Sequence, residues 1–184
     1  KYSSGYKRIY IVTQFNHPRE ITERTVAAVN LLLRAGIVLN NQTVLLKGVN
    51  DNPSILADLQ RKLVSIGISP YYVFQCRPVK RVKFLFQDTL YRGYHIVEGA
   101  KKMLDGHSKR FKYVMSHKSG KIEIVGMTKK FIYFKYHQAR DPSNLGKFFK
   151  KKMDKNAGWL DDLSGDSFLP ASIQEVLQFL FPDI

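Results

Sequence analysis

The chain has 184 residues, 44% of them apolar and 24% charged, ordinary proportions for a folded domain with room for a core. That composition excludes a disordered, collagen-like or coiled-coil chain, and no run of 18 apolar residues offers a transmembrane helix. Thirty Lys and Arg against fifteen Asp and Glu leave a net charge of +15, which attracts polyanions at long range.

Ile9 to Thr13 is a short β-branched and aromatic run, the pattern of a strand buried on both faces. Glu20 to Ala35 follows as a helix with Ala28, Leu31, Leu32 and Ala35 on one face, and Gly36 stands where a helix-ending glycine belongs. Thr43 to Leu46 is a second strand. Asn52-Pro53 then caps a helix carrying Ile55, Leu56, Leu59, Leu63 and Ile66, ended by Gly67. Tyr71 to Phe74 is a third strand, and Tyr91 to Leu104 a third helix closed by Gly106. Strand starts at 9, 43 and 71 are 34 and 28 residues apart, lengths that suit right-handed βα units and a parallel sheet, open or curved into part of a barrel.

Beyond Gly106 the pattern shortens. Phe111–Met115, Lys121–Val125 and Phe131–Tyr136 read as strands of a small antiparallel addition, joined at Ser119-Gly120 and Gly126-Met127. His137 to Lys155 is polar and basic, Gly158 to Asp166 reads as a loop, and Ser172 to Phe181 as a short capped helix. The expected organisation is βα units over 1–106, a small β extension over 107–137, and a basic tail over 138–184.

Cys76 is the only cysteine, which rules out an internal disulfide and any site built on several thiolates, and fits a reducing, cytoplasmic setting. The chain starts at Lys1, without an initiator methionine or an apolar leader, and reads as a piece of a longer polypeptide.

In a parallel α/β sheet, ligands lie beyond the C-terminal ends of the strands. That rule selects Gln14, Asn16 and His17 after the first strand, Lys47, Asn50 and Asp51 after the second, and Gln75, Cys76 and Arg77 after the third. Polar residues at such positions also cap helices with no ligand at all. No phosphate-cradling GxxxxGK[ST] loop is present, the five histidines lack metal-ligand spacing, and Lys121 after Ser119-Gly120 is either a surface charge or an imine-forming amine.

Three segments carry a resemblance: Asn16-His17-Pro18-Arg19-Glu20-Ile21, Asn41-Gln42-Thr43-Val44-Leu45-Leu46-Lys47-Gly48-Val49-Asn50-Asp51, and Pro70-Tyr71-Tyr72-Val73-Phe74-Gln75-Cys76. In order and spacing the chain resembles the lysine 2,3-aminomutase family of radical S-adenosylmethionine enzymes over roughly residues 8 to 126. The resemblance implies an α/β fold in which this chain is the C-terminal part of a partial (β/α) barrel. It also implies S-adenosylmethionine and a [4Fe-4S] cluster whose CxxxCxxC ligands are not in this chain, so that the chain is inactive until an N-terminal half of the same enzyme completes it.

The same resemblance places Gln42, Asn41 and the loop at His17 near S-adenosylmethionine. It makes Lys121 the lysine that holds pyridoxal phosphate, although the family's PGGGGK turn is here Ser116-His117-Lys118-Ser119-Gly120-Lys121. Gln75 and Arg77 are assigned to the substrate. The family carboxylate that meets the ammonium of lysine is replaced by Arg77, so the expected substrate is an amino acid with an acidic side chain rather than lysine. The family tyrosine of the third strand is Phe74, and a zinc-binding cysteine falls at Asn52, so no zinc is expected.

A homo-oligomer is compatible with an incomplete barrel, whose unpaired edge and exposed apolar surface favour association. Two readings compete with the enzyme fragment. One is a polyanion or nucleic-acid binding module built on Lys147 to Lys155 with Phe148 and Phe149 interleaved, the other an inactive paralogue kept as a scaffold.

Overall fold

Three strand–helix units open the chain. β1 (Tyr10–Thr13) leads through a 3-10 turn at Pro18–Glu20 to α1 (Glu23–Arg34), and β2 (Val38–Leu45) leads to α2 (Pro53–Ser65). β3 (Ser69–Gln75) leads through a four-residue helix, α3 (Lys83–Phe86), to α4 (Leu90–Lys102). β4 (Lys112–His117), β5 (Gly120–Met127), β6 (Phe131–Ala139), β7 (Phe148–Lys152) and the two-residue β8 (Ser167–Phe168) follow. This computed structural model describes residues 7–164 and β8. The helix expected over Ser172 to Phe181 lies outside the described residues.

The local chemistry explains the boundaries. Thr22, Asn52 and Thr89 cap α1, α2 and α4, their side chains accepting backbone N–H bonds from Thr25, Ser54 and Arg92. Pro53 opens α2, where its missing N–H costs no helical bond. Gly36 and Gly67 follow α1 and α2 at φ 75° and 85°, a conformation that side chains with a Cβ resist. Gly106 does not do the same for α4, which already closes at Met103 with an N–H bonded back to Ala100 and Lys101.

The strands form one open sheet in chain order. β1 to β4 run parallel, and β4 to β8 antiparallel. This extends one expectation: the strand at Phe111–Met115 does begin the antiparallel run, but its other edge joins it to β3. It is a fourth parallel strand, with Tyr72, Val73 and Phe74 opposite Lys112, Tyr113 and Val114, and the hairpins extend the same sheet. The basic run after Lys147 contains a further strand, β7, anchored by Phe149 against Phe134.

One face of the sheet is covered. α2, α4 and the segment Ala157–Leu163 pack there on Tyr113, Met115, Ile122, Ile124, Ile132 and Phe134, and Val29, Leu39, Leu59, Leu63 and Ile68 form a smaller cluster under α1. Burying each such side chain favours the fold by about 2 kcal/mol. The apolar face of α1 is not the one its spacing suggests. Val29 is buried while Leu31 is 68% exposed. β1 is likewise half exposed rather than buried on both faces, because it is the sheet's edge and Tyr10 is 65% exposed.

Candidate functional site

Among the described residues α1, α2 and α4 all pack on the covered face, and alternation decides which residues reach the other. In β2, Leu39, Asn41, Thr43 and Leu45 are buried, while Val38, Asn40, Gln42 and Val44 are only half buried. In register with Gln42 and Val44 stand Tyr72 and Phe74. Next to them on β4 and β5 come Lys112, Val114 and Ser116, then Glu123 and Lys121. A cavity of about 540 Å³ opens at the C-terminal ends of the parallel strands, with Gln14, Gln42, Phe74, Arg77, Val79 and Ser116 in its walls.

Arg77 holds its place there through two bonds to one residue of β4. Its Nε donates to the Ser116 carbonyl at 3.2 Å, and an Nη donates to Ser116 Oγ at 2.9 Å. A guanidinium has five N–H donors, so most of the fork stays available to an anion. Gln42 donates from Nε2 to Gln14 Oε1 at 3.3 Å on another wall.

Lys121 pairs with Ser116 across the β4–β5 hairpin. Its ammonium lies 4.2 Å from the centre of the Tyr72 ring and 5.7 Å from that of Phe74, so two aromatic faces hold the cation beside the cavity wall. The hairpin turns at Gly120, at φ 147°, where a Cβ would collide with the Gln138 carbonyl of β6.

Behind Lys121 lies a polar group that sequence patterns do not single out. The Tyr72 hydroxyl is 2.6 Å from His137 Nε2 and donates to Tyr71 at 3.1 Å. Burial pushes the Tyr72 phenol up, and Tyr71 and the negative charge of Glu123 push it further. Burial also lowers the pKa of His137, with the Lys112 charge adding to it. At neutral pH the phenol is therefore protonated and the imidazole neutral. Lys112 is itself paired with Glu123 at 2.7 Å. Tyr72 could have been found from sequence, being two residues before Phe74 on the same strand. His137 could not, because a bulge places it: Lys121 opposes Gln138 and Ile122 opposes Tyr136, leaving His137 as the extra residue.

Three other sequence-selected residues sit elsewhere. Asn41 is 1% exposed on the covered face, where its amide accepts from Phe15 N at 2.7 Å and donates to the Phe15 carbonyl and to Thr43 Oγ1. Gln75 is buried against Tyr113 and donates to the carbonyls of Asp88 and Gly158 at 2.6 and 2.9 Å. His17 caps the 3-10 turn, its Nδ1 accepting from Arg19 N at 3.1 Å while Glu20 accepts from the Asn16 and His17 amides. The structure thus brings Gln42 and Arg77 to one cavity, with Lys121 beside the Phe74 ring of its wall, while Asn41, Gln75 and His17 bond the strands and loops that shape it. Asn50 belongs with the latter group, tying the loop after β2 to Asn16 and Val44 carbonyls at 2.7 and 2.8 Å.

Cys76 is buried, and burial pushes its thiol up, away from the thiolate form that ligates iron. As the only cysteine of the chain it does not fit the role of a cluster-binding loop.

No family model matches the chain. Curated proteins do. A provisional L-lysine 2,3-aminomutase of Aquifex aeolicus is 44% identical over 85% of this chain and 41% of its own length. The L-lysine 2,3-aminomutase of Clostridium subterminale is 40% identical over 55% of this chain and 24% of its length. The glutamate 2,3-aminomutase of Clostridioides difficile is 41% identical over 50% of this chain and 22% of its length. The chain therefore spans well under half the length of these relatives, and what it matches is their C-terminal part.

Proposed function

We propose, from the premise that the chain is lysine 2,3-aminomutase-like, that it is the C-terminal portion of an enzyme moving an amino group between adjacent carbons of an amino acid. The observation that carries this reading is the common face of Gln42, Phe74, Arg77 and Lys121, at the strand ends where α/β enzymes place chemistry. The open sheet is then a partial barrel of the radical S-adenosylmethionine type, completed along β1 by an N-terminal half. Tyr10, Val12 and Leu31, all exposed at that edge, are the apolar surface such a partner would cover.

The groups on this face fit pyridoxal phosphate: a primary amine at Lys121 against a floor of two aromatic rings. Lys121 would hold that cofactor, with Tyr72 and Phe74 beneath it and Gln42 toward S-adenosylmethionine. Bound there, S-adenosylmethionine would supply the hydrogen-abstracting radical and pyridoxal phosphate the means of carrying nitrogen between carbons. This chain's own part is orientation. The rings of Tyr72 and Phe74 fix the Lys121 side chain, the neutral Tyr72–His137 pair keeps a second charge away from it, and Val79 and Val82 give the cavity an apolar wall. The iron–sulfur cluster finds no ligand set here, and no role in this chain is assigned to it.

Substrate choice follows from Arg77. A guanidinium in the cavity wall repels the distal ammonium of lysine and pairs with a carboxylate or phosphate. An amino acid with an acidic side chain is therefore the preferred substrate, as the name of the Clostridioides difficile relative also illustrates. Assembling the chain with its N-terminal half and assaying glutamate, aspartate and lysine tests this. Preference for an acidic substrate, reversed toward lysine by Arg77→Asp, is the expected result, and preference of the parent enzyme for lysine overturns it.

A further inference from the structure

The two-residue turn between β4 and β5 carries another constellation, on the covered side of the sheet and across it from Lys121. Only 6% of the His117 side chain is exposed. Its Nδ1 accepts the Ser119 backbone N–H at 3.2 Å and lies 2.6 Å from Ser119 Oγ. A backbone amide can only donate, so Nδ1 carries a lone pair and the ring proton of the neutral imidazole is on Nε2. That proton points to Asp161 Oδ1 at 2.9 Å. The bond from His117, joined by Lys118 at 3.3 Å, keeps the Asp161 carboxyl below its usual range and therefore ionised. The Tyr136 hydroxyl stands 3.1 Å from Ser119 Oγ on the other side. Closing a hairpin turn needs the Ser119 amide alone; it needs neither Asp161, forty-four residues away in sequence, nor Tyr136.

All four side chains border a cavity of about 540 Å³, with Phe149 and Leu160 as apolar walls and Lys151 at the rim. A hydroxyl bonded to an unprotonated imidazole nitrogen, with a carboxylate on the other ring nitrogen, is the arrangement that activates a serine. We propose that Ser119 is a nucleophile, with His117 as its base and Asp161 orienting that base, and that the cavity takes small carboxylic esters.

The step balances with water as the co-reactant. Ser119 Oγ bonds to the ester carbonyl carbon and its proton passes to His117 Nδ1. The carbonyl electron pair moves to oxygen, where Tyr136 donates a hydrogen bond. The bond to the leaving oxygen breaks, and the imidazolium returns the proton to the departing alcohol. Water, giving its proton to Nδ1, then cleaves the acyl-serine, the carboxylic acid leaves, and Ser119 recovers its proton. This chemistry is independent of Lys121 and of the aminomutase reading.

The test treats the full 184-residue chain with a small fluorophosphonate and locates the adduct by mass spectrometry. Ser119 should carry it, and Ser116, bound to Arg77, should not. His117→Gln should slow labelling by about 100-fold or more. Asp161→Asn should slow it by roughly tenfold, with Asp161→Glu restoring the rate, a rescue that a merely structural contact would not give. The chain should also hydrolyse p-nitrophenyl acetate faster than Ser119→Ala does. If His117→Gln fails to fold, Ser119→Cys decides: its thiol should react with iodoacetamide at least about tenfold faster than that of Lys118→Cys in the same turn. Absence of a Ser119 adduct, labelling unchanged in a folded His117→Gln, or equal thiol rates overturns the proposal.

Discussion

The two faces of this sheet are built from alternate residues of the same strands, yet they obey different rules. On the covered face, Leu39, Val73, Met115, Ile122 and Phe134 lie under helices and are essentially inaccessible. Even the polar residues there, Asn41, Thr43 and Gln75, have their bonds filled by the backbone, by each other or by the Thr13 and Tyr113 hydroxyls. On the open face, one residue along each strand, Gln42, Lys121 and Glu123 are polar and half accessible. The comparison teaches that adjacency in sequence says little about role. Asn41 and Gln42 are neighbours, and of the two only Gln42 lines the cavity.

Substitutions that separate the faces sharpen this contrast. The largest effect falls on Lys121→Ala. The chain incubated with pyridoxal phosphate should show an imine absorbance that this variant loses, with catalysis in the assembled enzyme down by roughly 1,000-fold or more while stability to urea is unchanged. Phe134→Ala, on the covered face, should do the reverse, costing about 3–5 kcal/mol in urea unfolding by leaving a cavity beside Phe149. The adjacent pair comes next. Asn41→Leu strands the Phe15 amide and should cost about 1–3 kcal/mol, whereas Gln42→Leu should stay within about 0.5 kcal/mol. Equal losses at the two positions would break the comparison.

The smallest effect is on pH. Because burial and Lys112 lower the pKa of His137, the folded state resists its protonation. The unfolded chain takes up that proton near pH 6.5 and the folded chain only below it, so this contribution is complete above pH 6.5 and is lost as pH falls through the lower folded value. Urea titrations on the acid side of pH 6.5 should show a decline that is shallower in His137→Gln.

Much of this is legible in the chain itself. The βα periods, the caps at Asn52-Pro53 and the glycines at 36 and 67 follow from local chemistry, and each stands where local chemistry puts it. Gln42 lies in a family segment, Arg77 follows one, and Lys121 comes with the glycine turn; Gln42 and Arg77 line one cavity, with Lys121 beside the Phe74 ring of its wall. The misreadings have physical causes. Apolar spacing puts Leu31 on the inner face of its helix because spacing does not say which of two stripes meets the sheet, and Val29 meets it instead. β4 reads as part of the hairpins because a short strand carries no mark of whether its neighbour runs parallel. β7 is hidden in a lysine run, since Phe149 alone points inward there. Pairs distant in sequence, Tyr72 with His137 and His117 with Asp161, are beyond spacing arguments altogether.

The register slips between neighbouring strands bear on how such a surface is altered over time. At Tyr71 and again at His137, one strand holds a residue more than its partner, and both rings end up beside the Tyr72 hydroxyl. The extra residue at each slip lies on the same face as its successor, so deleting it leaves a regular ladder with every flanking side chain on its original face, whereas a deletion within a regular stretch would turn the rest of the strand over by half a pleat. These two points are therefore where the strands can lose a residue without exchanging their faces, and each such loss would take one ring, Tyr71 or His137, away from the Tyr72 hydroxyl.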